Sequence, residues 1–183
     1  MDKGEQLAES ANRISEKKAK ELAPKIEEMM DAVFKQGMSP KDAMGMPKEV
    51  LEGIYAHAYH LYNTGKYGDS SLIFRLLMLL DPFDTRFYLG MAACSQMQED
   101  YSAALVMYSM SEMIDPTNPT PHFHAGDCAL HVGTREVARE EFKKAVELAG
   151  DKAEFADLKL QSGLILEEMS KQDKKGATRV TDE

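Results

Sequence analysis

The sequence predicts an all-α protein in which antiparallel helix pairs stack into a right-handed α-solenoid, flanked by an N-terminal helix and a C-terminal closing helix. When the chain is shifted by 34 residues, LLDP at 79–82 falls on MIDP at 113–116, which reveals an internal repeat. Residues 54–62, IYAHAYHLY, place apolar and aromatic side chains three and four apart, as on one helix face. A helix pair cannot bury its apolar face alone, so the pattern indicates at least three stacked units.

Composition and charge narrow the classes of function. The chain has 183 residues and a net charge of -9, which argues against nucleic acid or an anionic membrane as the main ligand and favours protein partners. It contains no run of 18 apolar residues, and its first ten residues lack the apolar core of a signal peptide, so we expect a cytosolic protein without membrane insertion. Cys94 and Cys128 are expected to stay reduced.

The repeats are expected to occupy the middle of a four-part chain. Residues 1–22 are polar and are expected to be mobile, and residues 23–46 form an N-terminal helix followed by a linker rich in helix breakers. Pro24 is placed near the start of that helix, where proline is tolerated. Residues 47–171 hold the repeats and the closing helix at 152–171, and residues 172–183 are expected to be a disordered tail.

The positions shared by the units resemble the tetratricopeptide repeat, with units at 51–84, 85–118 and 119–152. Each unit has two small residues, an aromatic residue and, except in the third, a proline after the second helix. Gly150 replaces that proline, so the second helix of the third unit is expected to end differently. The equivalent residues are Ala58, Ala92 and Gly126; Ser70, Ala104 and Ala138; Phe74, Tyr108 and Phe142; and Pro82 and Pro116.

Two side-chain stripes on the first repeat helix are predicted to face two different surroundings, the interior of the repeat and the concave groove. Ile54, Ala58 and Leu61 fall at places four, eight and eleven, which pack inside a tetratricopeptide repeat. Tyr55, Tyr59 and Tyr62 fall at places five, nine and twelve, which face the concave groove. Packing of these rings on the N-terminal helix is the alternative.

The groove predicted from these places is aromatic and aliphatic with few charges. Tyrosine offers a stiff contact area with a polar tip and methionine adapts its shape, so the lining suits an extended peptide with apolar anchors. Arg86 is the one cation placed near the groove, with a solvated arginine at a helix start as the alternative; one cation does not make a carboxylate clamp. The predicted lining is Tyr55, Tyr59, Tyr62, Arg86, Leu89, Ala93, Gln96, Met97, Phe123, Asp127 and Leu130.

The segments LYNTGKYGDSSLIFRLLMLLDPFDTRFYLGMAACSQ at 61–96 and PHFHAGDCAL at 121–130 resemble the class II chaperones of bacterial type III secretion. The resemblance extends over about residues 47–169. It implies a non-catalytic cytoplasmic chaperone that holds an extended N-terminal segment of hydrophobic translocator proteins and keeps them soluble and competent for export. Tyr55, Tyr59, Tyr62 and Tyr67 match the groove tyrosines of that family. Members of the family often form homodimers, and the mode of such a dimer is left open here.

Chemical sites are not predicted. The chain contains no phosphate-binding glycine loop, nucleophile elbow or zinc-protease histidine pair, so we expect no enzyme and no cofactor. His57 and His60, and likewise His122 and His124, have no carboxylate or cysteine at ligand spacing, so no metal site is expected. The alternative function is a tetratricopeptide scaffold that assembles folded proteins.

Overall fold

A computed structural model describes the backbone of residues 3–180 and the side chains of residues 18–174. Nine α-helices and one short 3-10 helix make up the regular structure of this part of the chain, and it contains no strand, which confirms the predicted all-α class. The chain divides into two compact units, one ending at Val50 and the other beginning at Leu51.

The first unit consists of a long helix and a short one. Helix α1 spans Lys3–Phe34 and begins 20 residues before the predicted start at residue 23, so most of the stretch expected to be mobile is helical. Pro24 therefore lies inside the helix, where its missing N–H removes one backbone hydrogen bond. Helix α2, Pro40–Ala43, lies within the predicted linker and is capped by Ser39, whose hydroxyl accepts a hydrogen bond from the Asp42 N–H.

The second unit contains the three predicted helix pairs. Their bounds agree with the repeat boundaries derived from the 34-residue period, except that the first helix begins at Lys48, three residues before the predicted boundary and the start of the unit. Short turns separate the two helices of each pair, and from the second helix of the first pair onward each α-helix contacts the next one along the chain. The helices are α3 Lys48–Asn63 and α4 Tyr67–Leu80, α5 Thr85–Met97 and α6 Tyr101–Ile114, and α7 Pro119–His131 and α8 Arg135–Ala149.

The equivalent aromatic residues lie at the centre of the pairs. Phe74, Tyr108 and Phe142 are almost completely buried. The helices approach closely where glycine removes a side chain: a Cβ on Gly126 would lie 2.9 Å from the Phe142 ring, and one on Gly90 would overlap the Phe74 ring. These glycines therefore leave room for the rings. The repeat alignment predicted a small residue at Gly126, but it did not single out Gly90.

The second helices end in two different ways. Helices α4 and α6 are followed by Asp81 and Asp115, whose backbones lie outside the α region because the next residue is proline. Helix α8 ends instead at Gly150, whose φ of 52° is accessible to glycine at little cost. The different ending predicted from the absence of proline in the third repeat is confirmed.

The third repeat is covered by a closing helix. A short 3-10 helix at Ala153–Phe155 precedes α9, Ala156–Val180, which continues well beyond the predicted end at residue 171 and into the predicted tail. Met169 is buried against a cluster that includes Phe142. Arg135 of α8 donates a hydrogen bond to the Met169 carbonyl at 2.9 Å, so α9 is fixed by both packing and polar contacts.

Among the described residues, every helix is too short or too polar to cross a bilayer. The two thiols, Cys94 and Cys128, are buried and not bridged. Burial raises the pKa of the Cys128 thiol to about 12, so it is protonated at neutral pH.

Candidate binding groove

The first helices of all three repeats border one pocket of about 220 Å³. Two rings from second helices, Phe74 and Tyr108, contribute to its walls. Its lining is mainly aromatic and aliphatic, with Arg86 as its one cation. The lining residues are Tyr55, Tyr59, Tyr62, Phe74, Arg86, Leu89, Gly90, Ala93, Tyr108, Thr120 and His124.

Tyr55 and Tyr59 are stacked on each other but differ in their surroundings. Their ring centroids are 6.3 Å apart. The Tyr55 ring also lies 6.1 Å from Phe74 and 5.9 Å from Phe87, so one of its sides belongs to the protein's own packing. Tyr59 keeps 52% of its surface exposed and is the more accessible anchor of the two.

Tyr62 and Tyr67 meet edge to face across the turn between α3 and α4. Their ring centroids are 5.5 Å apart, and both side chains are half-buried. Tyr62 reaches the pocket, whereas Tyr67 is not among the residues that line it. Burial raises the pKa of Tyr62, so its hydroxyl is neutral and can serve a peptide as a hydrogen-bond donor.

Arg86 lies at the rim of the pocket and is held by two carboxylates. Its guanidinium donates to Glu52 at 2.8 and 3.1 Å and to Asp84 at 2.6 to 3.1 Å. Hydrogen bonds to these carboxylates raise the pKa of Arg86 further above its usual range. Its Cζ atom lies 4.8 Å from the Tyr55 ring centroid, within cation–π range. Arg86 therefore packs on the Tyr55 ring and links the second repeat to Glu52 of the first. It is not the fully solvated arginine considered as the alternative.

Gln96 and Asp127 form a polar bridge between the second and third repeats. The Tyr108 hydroxyl donates to Gln96 Oε1 at 2.8 Å, and Gln96 Nε2 donates to Asp127 Oδ2 at 2.7 Å. Neither Gln96 nor Asp127 lines the pocket. Their side chains are hydrogen-bonded to each other and connect α5 to α7.

The remaining predicted lining residues are divided between pocket, surface and core. Leu89 and Ala93, which the repeat places assign to the groove, line the pocket. Met97 is half-exposed but lies outside the pocket. Phe123 and Leu130 pack against the core cluster of the third repeat, with the Phe123 ring 6.0 Å from Phe142. The structure thus draws these two side chains toward the interior of their own repeat.

Sequence reasoning missed Thr120 and His124 in the pocket. They stand 34 residues after Arg86 and Gly90, so applying the repeat period to Arg86 would have identified Thr120. His124 stacks on Tyr108 with ring centroids 5.6 Å apart. Burial lowers the pKa of His124, which favours its neutral form and keeps this wall uncharged.

The fold brings two carboxylates from other helices to one of the histidines. His122 has no carboxylate at ligand spacing along its own helix, but Glu112 of α6 and Glu141 of α8 lie beside its ring. The three side chains lie together outside the pocket, with His122 buried and the two glutamates partly buried.

The chain is similar in sequence to a repeat family and to two known proteins. The tetratricopeptide repeat family model matches residues 51–70. Low calcium response locus protein H of Yersinia pestis is 34% identical over 138 residues, which cover 75% of this chain and 82% of that protein. Chaperone protein SicA of Salmonella typhimurium is 29% identical over 156 residues, which cover 85% of this chain and 88% of SicA.

Solved structures agree with this kinship. A type III secretion complex from Aeromonas hydrophila superposes with a TM-score of 0.75 at 31% identity, covering 79% of this chain and 97% of the other. The Yersinia enterocolitica translocator chaperone SycD, in complex with a peptide of the translocator YopD, has a TM-score of 0.68 at 34% identity. The match covers 70% of this chain and 98% of the SycD chain. PcrH in complex with the chaperone-binding region of PopD has a TM-score of 0.68 at 33% identity, and the match covers 70% of this chain and 97% of the PcrH chain. This chain belongs to the family of type III secretion translocator chaperones.

Proposed function

We propose that this protein acts in the bacterial cytoplasm as a non-catalytic chaperone that holds an extended N-terminal segment of a hydrophobic translocator. The observation that carries the proposal is the mainly aromatic and aliphatic pocket bordered by the first helices of all three repeats. The relatives SycD and PcrH, which have been solved with translocator peptides, support the same type of client.

The size and lining of the pocket favour peptide side chains over a small-molecule ligand. Its volume of about 220 Å³ lies below the roughly 300–1,000 Å³ typical of small-molecule sites. Apolar walls with a few polar tips suit one or two aliphatic side chains, while the peptide backbone can bond to tyrosine hydroxyls. The binding energy is therefore expected to come from apolar anchors.

This arrangement answers a physical problem of translocator proteins. Their membrane-inserting segments would expose large apolar patches in water and aggregate. A groove that binds an extended peptide non-covalently can mask such a client and still release it, because ordering the peptide offsets part of the contact energy.

Co-expression with a hydrophobic translocator tests the proposal. The proposed function predicts a soluble complex in which the translocator elutes with this protein on size exclusion. A translocator that remains insoluble while this protein stays monodisperse would contradict the proposal and favour a scaffold for folded proteins. A translocator lacking its N-terminal segment serves as the control and is expected to stay insoluble.

A further inference from the structure

From the side chains that converge on His122, we infer that the protein has a site for a divalent first-row transition metal ion, formed by Glu112, His122 and Glu141. The ligands come from α6, α7 and α8, which belong to the second and third repeats. A bound ion would therefore link these two repeats. The site lies outside the pocket, and the inference does not rest on the proposed function.

The three ligand atoms are close enough to share one ion. His122 Nδ1 lies 2.7 Å from Glu141 Oε2 and 3.4 Å from Glu112 Oε1, and the three ligand atoms all lie within 4.8 Å of one another. Ligand atoms around a tetrahedral zinc ion are separated by about 3.3 Å, given Zn–N and Zn–O bonds of about 2.0–2.2 Å. Shifts of the side chains that open the 2.7 Å pair and bring the most widely spaced pair closer would satisfy this geometry, with water as the fourth ligand.

Burial makes this cluster different from acidic groups on the surface. His122 is only 6% exposed. Oxygen Oε1 of Glu112 is buried and has no hydrogen-bond partner, and Nδ1 of His122 lies closer to Glu141 Oε2, at 2.7 Å. A buried carboxylate oxygen without a partner is costly, and a cation would satisfy it. Lys144 bonds to the other oxygen of Glu141, Oε1, so Oε2 remains directed at His122.

The ligand types indicate the class of metal. One imidazole and two carboxylates are typical ligands of zinc and related transition ions, whereas Mg²⁺ and Ca²⁺ prefer sites made of oxygen alone. Zn²⁺ is therefore the appropriate probe, with Mg²⁺ as the control for attraction by charge alone.

The test is calorimetric titration of the full chain with Zn²⁺. To remove the exposed histidine pair on α3, it uses a His57→Gln, His60→Gln background. We expect one ion per chain and a rise in the midpoint of thermal unfolding of roughly 5–10 °C at about 100-fold excess over Kd. Mg²⁺ should give no comparable rise. Absence of binding, or of the thermal shift, would overturn the inference.

Variants decide whether the bound ion is at this site. Glu112→Gln and His122→Gln should each weaken Zn²⁺ binding at least tenfold, while Glu147→Gln, an exposed change on α8, should leave it unaltered. Glu112→Gln keeps the size of the side chain and guards against a His122 variant that fails to fold. The visible absorption of bound Co²⁺ should show a four-coordinate site that both ligand variants lose. Unchanged affinity in Glu112→Gln would place the ion elsewhere and contradict the inference.

Discussion

At the scale of single residues, Tyr55 and Tyr59 divide the roles that the sequence had assigned to one stripe. The Tyr55 ring lies against Phe74, Phe87 and the Arg86 guanidinium, so it contributes to stability as well as to the pocket. Tyr59 contacts Tyr55 but is about half exposed. Exposed aromatic side chains that border a pocket are the type that dominates binding energy at interfaces.

The two tyrosines are therefore expected to respond differently to truncation. Tyr59→Ala should weaken binding of an N-terminal translocator peptide by roughly 5–30-fold, which corresponds to about 1–2 kcal/mol, and should change the free energy of unfolding by less than about 0.5 kcal/mol. Tyr55→Ala should weaken binding and also lower the free energy of unfolding by about 2 kcal/mol, because it removes packed ring contacts. Peptide titration and urea unfolding measure the two quantities.

Leu79→Ala is the matched control for these changes. Leu79 is 69% exposed on α4 and does not line the pocket, so neither binding nor stability should change appreciably. Peptide affinity unaffected by Tyr59→Ala, or a loss of stability in that variant as large as in Tyr55→Ala, would contradict the assigned roles.

At the scale of helices, two close approaches depend on a glycine that faces a ring, one between the first and second helix pairs and one within the third pair. Gly90 of α5 faces Phe74, and Gly126 of α7 faces Phe142. Both rings are buried, so they have little room to move. The packing of a first helix on a second helix thus depends on the absence of one methyl group.

Alanine substitutions test this packing. Gly90→Ala should lower the free energy of unfolding by about 2–3 kcal/mol, and Gly126→Ala by about 1–2 kcal/mol, because the new Cβ meets a ring. Gly163→Ala in α9 is the control, since a Cβ there has no neighbouring atom within 4 Å. That change should raise stability by about 0.5–1 kcal/mol through helix propensity. Denaturant unfolding compares the three, and equal effects at all three positions would refute the steric argument.

At the scale of the whole molecule, the sequence predicted the repeat unit well because its information is local and periodic. The 34-residue spacing located the small residues, the buried rings and the proline stops, and the absence of proline at Gly150 correctly indicated a different helix end. The start of α1 at Lys3 was missed because the residues before Leu22 carry little apolar periodicity. The polar composition of residues 1–22 had led to the prediction of a mobile segment.

The candidate sites were predicted less completely, for two physical reasons. Thr120 enters the pocket from the place of Arg86, which was used only in the second repeat, and His124 enters from the place of Gly90, which was not used at all. Glu112, His122 and Glu141 stand on three different helices, so no spacing along one helix could group them. Phe123 and Leu130 were assigned by place alone, and their contacts lie with the core of the third repeat.

The most direct test of the central claim is photo-crosslinking from one groove position and one position outside the groove. A benzoylphenylalanine in place of Tyr59 samples the pocket, and one in place of Leu79 samples the exposed side of α4. Irradiation of the complex with a translocator should crosslink position 59, but not position 79, to the N-terminal segment of the client. Crosslinking from position 79 with none from position 59 would contradict the claim that the pocket holds the client.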